Sequence, residues 1–217
     1  MKKIRTSLAV SIALFLTGCS SNGGDWDQIL RATEQIWSGS NDRVSIERAS
    51  AIPYATLGLK LDDGPEQMLI LATDDGGVRL WTSSGHVSLV IQGDRIIRTS
   101  GLGTDLTGHS GPVDTAENWL KPHVSEWQGD FPDLGHYSVR ISCRNERATP
   151  DPIKILGQIF ETARVNEDCE SKELGWRFSN TYWVSTETMR VWRSIQHIHP
   201  RGPELEIEYL RPPFGNQ

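Results

Sequence analysis

The 217-residue sequence predicts an all-β, mainly antiparallel protein with one N-terminal helix. Three observations lead there. Apolar and polar residues alternate with period two through most of the chain beyond residue 52. Twenty Gly and 11 Pro are spread along it rather than clustered, as turns between many short strands require. Helical spacing recurs clearly in one stretch near the N-terminus. With 37% hydrophobic and 23% charged residues a packed core is available. A formal charge of -6 argues against a nucleic-acid partner, which needs a basic footprint.

The first eighteen residues form a processing segment. Lys2, Lys3 and Arg5 make a positive start, and Leu8 to Leu16 is an apolar run too short to span a bilayer. It ends Leu16-Thr17-Gly18-Cys19, which resembles the bacterial lipobox. That motif implies a lipoprotein signal peptide over 1–18 and acylation of Cys19, palmitate included, as the mature N-terminus. Removing three cations and no acids takes the formal charge from -6 to about -9. Ser20 follows the lipid cysteine where Asp would signal inner-membrane retention, so the expected location is the outer membrane, lipid-anchored and facing the periplasm. Residues 19–25 read as the lipidated N-terminus and a polar tether, and 26–217 as a single β-rich periplasmic domain.

Within that domain Ile29, Leu30, Thr33, Ile36 and Trp37 recur at helical spacing over Trp26 to Trp37, and Ser38-Gly39 stops the helix. Ile52 to Leu61 is strand-like, and Asp62-Asp63-Gly64-Pro65 is a turn. Met68 to Ala72 is a continuous apolar run, as in a strand covered on both faces. After the Asp74 to Gly77 turn come Val78, Leu80 and Trp81, then Val87, Leu89 and Ile91 in alternation. Gly93-Asp94 makes a two-residue hairpin turn into Arg95 to Arg98. Residues 101–135 are looser, with one helical turn around Thr115 to Leu120. Tyr137, Val139, Ile141 and Cys143 share a strand face; Ile153 to Arg164 fits strand or helix. Leu174 to Val184 and Met189 to His199 are strands. In the last strand Leu205, Ile207 and Tyr209 form a dry face and Glu204, Glu206 and Glu208 a wet one. About ten strands are expected.

Catalytic patterns do not emerge. Gly108-His109-Ser110-Gly111 is one residue short of a hydrolase elbow and sits in a loop. The glycines at 101, 103 and 108 lack a following Lys-Ser/Thr and a βαβ setting. The chain is therefore expected to be no enzyme, with no cofactor. His197 and His199 are two apart on a strand, but no third metal ligand has diagnostic spacing, so no metal is expected. Cys143 and Cys169 are a candidate disulfide in an oxidising compartment, against the alternative of two unpaired thiols. Eight Trp is many for this length; Trp183 and Trp192 fall on polar strand faces and are candidate ligand-stacking residues, with core packing as the other reading.

Several stretches resemble one family, the YjbF/GfcB lipoproteins of group 4 capsule polysaccharide. They are Ile52-Pro53-Tyr54-Ala55, Gly93 to Leu102 with Asp105-Leu106, Asn180-Thr181-Tyr182-Trp183-Val184 and Val191 to Gln196. The resemblance implies a large curved β meander, a half-barrel or sandwich, and favours strand over helix at Ile153 to Arg164. It also implies a non-enzymatic accessory factor in capsule or exopolysaccharide production or export, whose partners are secretion proteins of the same operon. The rival expectation is a periplasmic carrier or binding module holding an acyl chain or glycan on a concave sheet. No catalytic residues transfer from the family; Cys19 does.

Overall fold

The computed structural model describes residues 43–114 and 116–213; the lipobox, the tether and the Trp26 to Trp37 stretch lie outside them. It opens on helix α1 (Ile46–Ala51), whose first turn is capped by Ser45, the side chain accepting from Arg48 N. The first meander follows: β1 (Thr56–Leu61), β2 (Gln67–Asp75), β3 (Val78–Thr82), β4 (Ser88–Gln92) and β5 (Arg95–Ser100). Next come β6 (Gly108–Ser110), α2 (Ala116–Trp119), β7 (Val124–Phe131) and β8 (His136–Asn145). The remainder is β9 (Thr149–Pro150), β10 (Ile153–Ile155), β11 (Gln158–Phe160), β12 (Thr162–Ser171), β13 (Trp176–Ser185), β14 (Val191–His197) and β15 (Glu204–Arg211).

Thirteen strands form one antiparallel sheet in the order β5-β4-β3-β2-β1-β15-β14-β13-β12-β8-β7-β6, with β9 attached to β12. Two joins bind distant parts of the chain: β1 to β15, and β12 to β8. The sheet curls into a nearly closed barrel. At the seam Thr99 N, on edge strand β5, donates to Leu106 O just ahead of edge strand β6 (2.8 Å). The expected Gly93-Asp94 turn joins β4 to β5 with positive φ at both residues, 52° and 70°, as a type I′ turn needs. No room exists for a side chain at 93, where a Cβ would meet Asp114 O at 2.6 Å.

Alternation sends one face of every long strand inward. Leu57, Leu59, Leu69, Trp81, Leu89, Phe131, Val139, Ile141 and Leu205 are fully buried in this main core. The outer face of β1, β2, β13, β14 and β15 is covered as well. Helix α1 packs Ala49 and Ile52 onto Met68 and Ile70, while the β10–β11 hairpin packs Ile153 and Ile155 onto Trp183. That second layer explains the unbroken apolar run in β2.

The second layer also overturns the wet face expected for the last strand. Glu208 is buried, and Glu206 is largely so. Arg43 reaches Glu206 (2.7 Å) and Glu208 (3.3 Å), and Arg193 pairs with both. Glu66 lies over the same patch, its Oε2 accepting from Val44 N (2.5 Å). Gly58 is glycine because any Cβ there would collide with the Glu66 carboxylate. Burial pushes the Glu208 and Glu66 carboxyls up, against the pull of the arginines.

Other expectations shift locally. Ile153 to Arg164 is strand throughout its structured parts, a hairpin running into β12. The helix α1 precedes a shorter first strand than expected. Residues 101–135 contain the eight-residue strand β7. Tyr137 is exposed, because Ser138 has φ 52° and resets the inward phase to Val139, Ile141 and Cys143.

Candidate functional site

Three places concentrate polar chemistry. The first is inside the barrel, where strand β5 delivers Arg95 to the interior with 3% of its surface exposed. Its guanidinium donates to both oxygens of Glu167 on β12 (2.6 and 3.3 Å) and to Asp114 (3.4 Å). It lies over the rings of Trp119 (5.3 Å) and Trp127 (5.8 Å). Burial lowers its pKa, but Glu167, Tyr182 and Asp114 outweigh that, so it stays protonated. Trp119 stacks on Tyr182 with centroids 3.9 Å apart, and His109 stacks on Trp127 at 5.1 Å. Burial, with Arg95 adding to it, pushes His109 down to about 4, so it is neutral near neutral pH. Asn145 extends the network, its amide donating to the Trp119 and Lys121 carbonyls (3.1 and 2.8 Å). Together these contacts clamp edge strand β5 to the opposite wall through charge-assisted bonds.

The second place is a concave groove of about 1150 Å³ on the outer face of β7, β8, β12 and β13. Side chains project into it in rows set by strand register, for instance Glu126, Ser142, Glu170 and Arg177. Arg177 pairs with Glu170 (2.9 Å), and Ser179 donates to Asp168 (2.5 Å). Arg140, Arg144 and Lys172 also line it. Such walls bind hydroxyls and charged protein surfaces, and give an acyl chain little to bury against.

The third is a smaller pocket at one mouth of the barrel, around Asp94.

The residues singled out from sequence divide among these settings. Cys143 and Cys169 form the expected disulfide, as direct cross-strand partners between β8 and β12 with Cα atoms 4.1 Å apart. Both sulfurs lie near the Glu167 carboxylate, but oxidised to a disulfide they supply no thiolate for a metal. Trp183 is buried under the β10–β11 hairpin, its indole N–H donating to Asp151 (2.9 Å) and its ring facing Arg193. Trp192 packs against Phe160 at 4.1 Å, with Arg190 across its ring. Both rings thus have protein partners in the outer layer. His197 and His199 part company where β14 ends: His197 faces Glu204 (3.7 Å), and His199 is buried against Asp133 (3.1 Å) and Phe131. His109 and Ser110 sit on edge strand β6. Cys19 lies outside the described residues.

Sequence reasoning missed the Arg95 clamp. One signal was present: Arg95 directly follows the Gly93-Asp94 turn and is in alternation with apolar Ile97 and opposite in phase to Arg98, so one of the two arginines of β5 had to face inward.

Comparison with known proteins decides the family. The model of the family described as "Group 4 capsule polysaccharide lipoprotein gfcB, YjbF" matches residues 30–210. The chain belongs to that family. Among relatives, the uncharacterized lipoprotein GfcB of Escherichia coli K12 is 25% identical over 205 residues, covering 92% of this chain and 95% of that one. The uncharacterized lipoprotein YjbF of the same organism is 19% identical over 188 residues, 82% of this chain and 84% of that one. Among solved structures, the crystal structure of the hypothetical lipoprotein YmcC from E. coli K12 superposes with a TM-score of 0.69. It is 22% identical and covers 85% of this chain and 94% of that one. That solved protein shares the fold, and the expected curved antiparallel β architecture holds.

Proposed function

We propose that this family member is a non-enzymatic accessory lipoprotein of capsule or exopolysaccharide production or export. Cys19 anchors it to the outer membrane, and the β domain works from the periplasm through contacts with secretion proteins of the same operon. The observation that carries the reading is the family match over residues 30–210. The lipobox ending at Cys19 and the Ser20 that follows support the location.

The architecture favours this over a carrier. Among the described residues Trp81, Trp119, Tyr182 and Phe131 are fully buried and fill the barrel interior, which leaves an acyl chain little room there. The outer groove is polar and suits a protein or glycan surface. A periplasmic domain cannot reach cytoplasmic sugar nucleotides, so its influence falls late, at export or assembly.

The test is to quantify secreted and cell-associated polymer in a clean deletion strain, complemented with wild type or with Cys19→Ala. Polymer should fall on deletion and stay low with the unanchored variant, because confinement to the membrane raises effective concentration for a weakly bound partner. Unchanged amount, length and location of the polymer in the deletion strain would overturn the reading.

A further inference from the structure

At the barrel mouth formed by the β4–β5 and β13–β14 turns and the end of β15 lies a cavity of about 130 Å³. A 150 Å³ cavity encloses a benzene ring, so this smaller one, open on one side, admits the edge of a sugar ring rather than the whole of it. Its polar walls come from four places in the chain: Arg79 on β3, Asp94 in the β4–β5 turn, Arg190 in the β13–β14 turn and Tyr209 on β15. Met189, Pro212 and Pro213 supply apolar wall.

We propose that this mouth pocket is a carbohydrate site that takes the edge of one sugar ring, either of a free hexose or of a residue of a polysaccharide. The assignment rests on the polysaccharide reading given above for its biological setting, but its chemistry stands by itself. A pyranose offers hydroxyls that both donate and accept, and it has an apolar C–H face. Asp94 supplies the acceptor, the two guanidiniums and the Tyr209 hydroxyl supply donors, and Met189 and the two prolines meet the C–H face. Charge is balanced, since Arg79 already pairs with Asp74 (2.9 Å), leaving Arg190 against Asp94. A balanced, hydrogen-bonding pocket selects a polyol over a simple ion.

Two further features set this pocket apart from an ordinary surface dimple. Asp94 is kept at a cost: burial pushes its carboxyl up to about 6, against the pull of Arg79, Arg190 and Tyr209. Tyr209 donates to it at 3.5 Å, and among the described residues no cation lies within ion-pairing distance. Met189 has φ 50°, a left-handed conformation rare for such a residue, and strain of this kind gathers at binding sites. Asp94 is anchored from within the barrel, where the Gln196 amide donates to its backbone carbonyl (2.8 Å). The pocket is thus rigidly mounted.

The test uses the full chain, detergent-solubilised, in saturation-transfer NMR with glucose, galactose and glucuronate. Affinity electrophoresis through polymer purified from producing cells is the second arm. A free hexose should bind with a dissociation constant of about a millimolar, and the polymer should retard the protein if a chain residue is the true occupant. Arg190→Gln and Asp94→Asn should each weaken binding tenfold or more, while Arg98→Gln, at an exposed position on β5 away from both the pocket and the outer groove, should not. Asn tolerates the left-handed turn position, so Asp94→Asn stays folded, and thermal melts verify that. Binding should also weaken below about pH 6, as Asp94 takes up a proton and loses its charge. Absence of binding to all probes, or pocket variants that bind like wild type, overturns the assignment. Normal polymer in the deletion strain together with pocket-dependent sugar binding would instead retain the site and remove the export role.

Discussion

The Cys143–Cys169 disulfide offers the sharpest quantitative handle on the fold. Its two residues are 26 apart in sequence and buried, at 1% and 4% exposure. In the chain-entropy model, releasing a loop of that length from the unfolded state's constraint costs about 3.5 kcal/mol. For a domain of this size that is a fall in Tm of roughly 7–14 °C. The position makes the loss uneven. β12 and β8 pair over four residues, Glu167 to Glu170 against Asn145 to Ser142, and the disulfide sits within that short ladder. Strands β6, β7 and β8 attach to the rest of the sheet chiefly there, so the reduced protein should loosen in this wing first. The Cys143→Ala/Cys169→Ala variant, and wild type with reductant, should both show a lower urea midpoint. Hydrogen exchange should accelerate in β7 and β8 before β1 or β15. A stability change below about 1 kcal/mol, or uniform acceleration of exchange, would refute the reasoning.

Two further perturbations probe the buried charges. Arg95→Met strands Glu167 and Asp114 without their cation, and removing one partner of a buried pair costs about 3–5 kcal/mol; a second change, Glu167→Gln, should recover part of it, read as urea midpoints. Asp94→Asn should stabilise the fold in a pH-dependent way. The folded carboxyl titrates at about 6 against an ordinary 3.8, so the folded state holds the proton more tightly. Stability is therefore lost as pH rises from 3.8 through 6, and the full penalty, on the order of 2–3 kcal/mol, is present above pH 6. Variant and wild type should match near pH 3.5 and diverge by pH 7; equal stability at pH 7 would show that Asp94 is not the strained group.

The local pattern of the chain was legible wherever alternation coincided with a strong turn. Gly93-Asp94 could be read as a hairpin because two consecutive residues suited to positive φ separate two apolar runs. The β8 and β12 cysteines could be read as candidate partners from the oxidising compartment alone, but only the cross-strand register of β8 and β12 decided between a disulfide and two free thiols. The β class likewise follows from residues close together in sequence. β7 escaped notice because its inward positions include Gly129, which leaves too little apolar signal for period two.

Which face of a strand meets water depends on what lies above it, and that is a long-range property. The row Glu204, Glu206, Glu208 has the alternation of a solvated edge, yet Arg43, some 160 residues earlier in the chain, covers its second and third members. Trp183 and Trp192 acquired their partners from a hairpin thirty residues upstream. Arg95 and Glu167, 72 residues apart, became a pair through barrel closure. Side-chain periodicity and turn residues set strand and turn because these depend on neighbours within a few residues. The buried charges and the mouth pocket come from register across the closed sheet, where the choice of facing residues is made by tertiary structure.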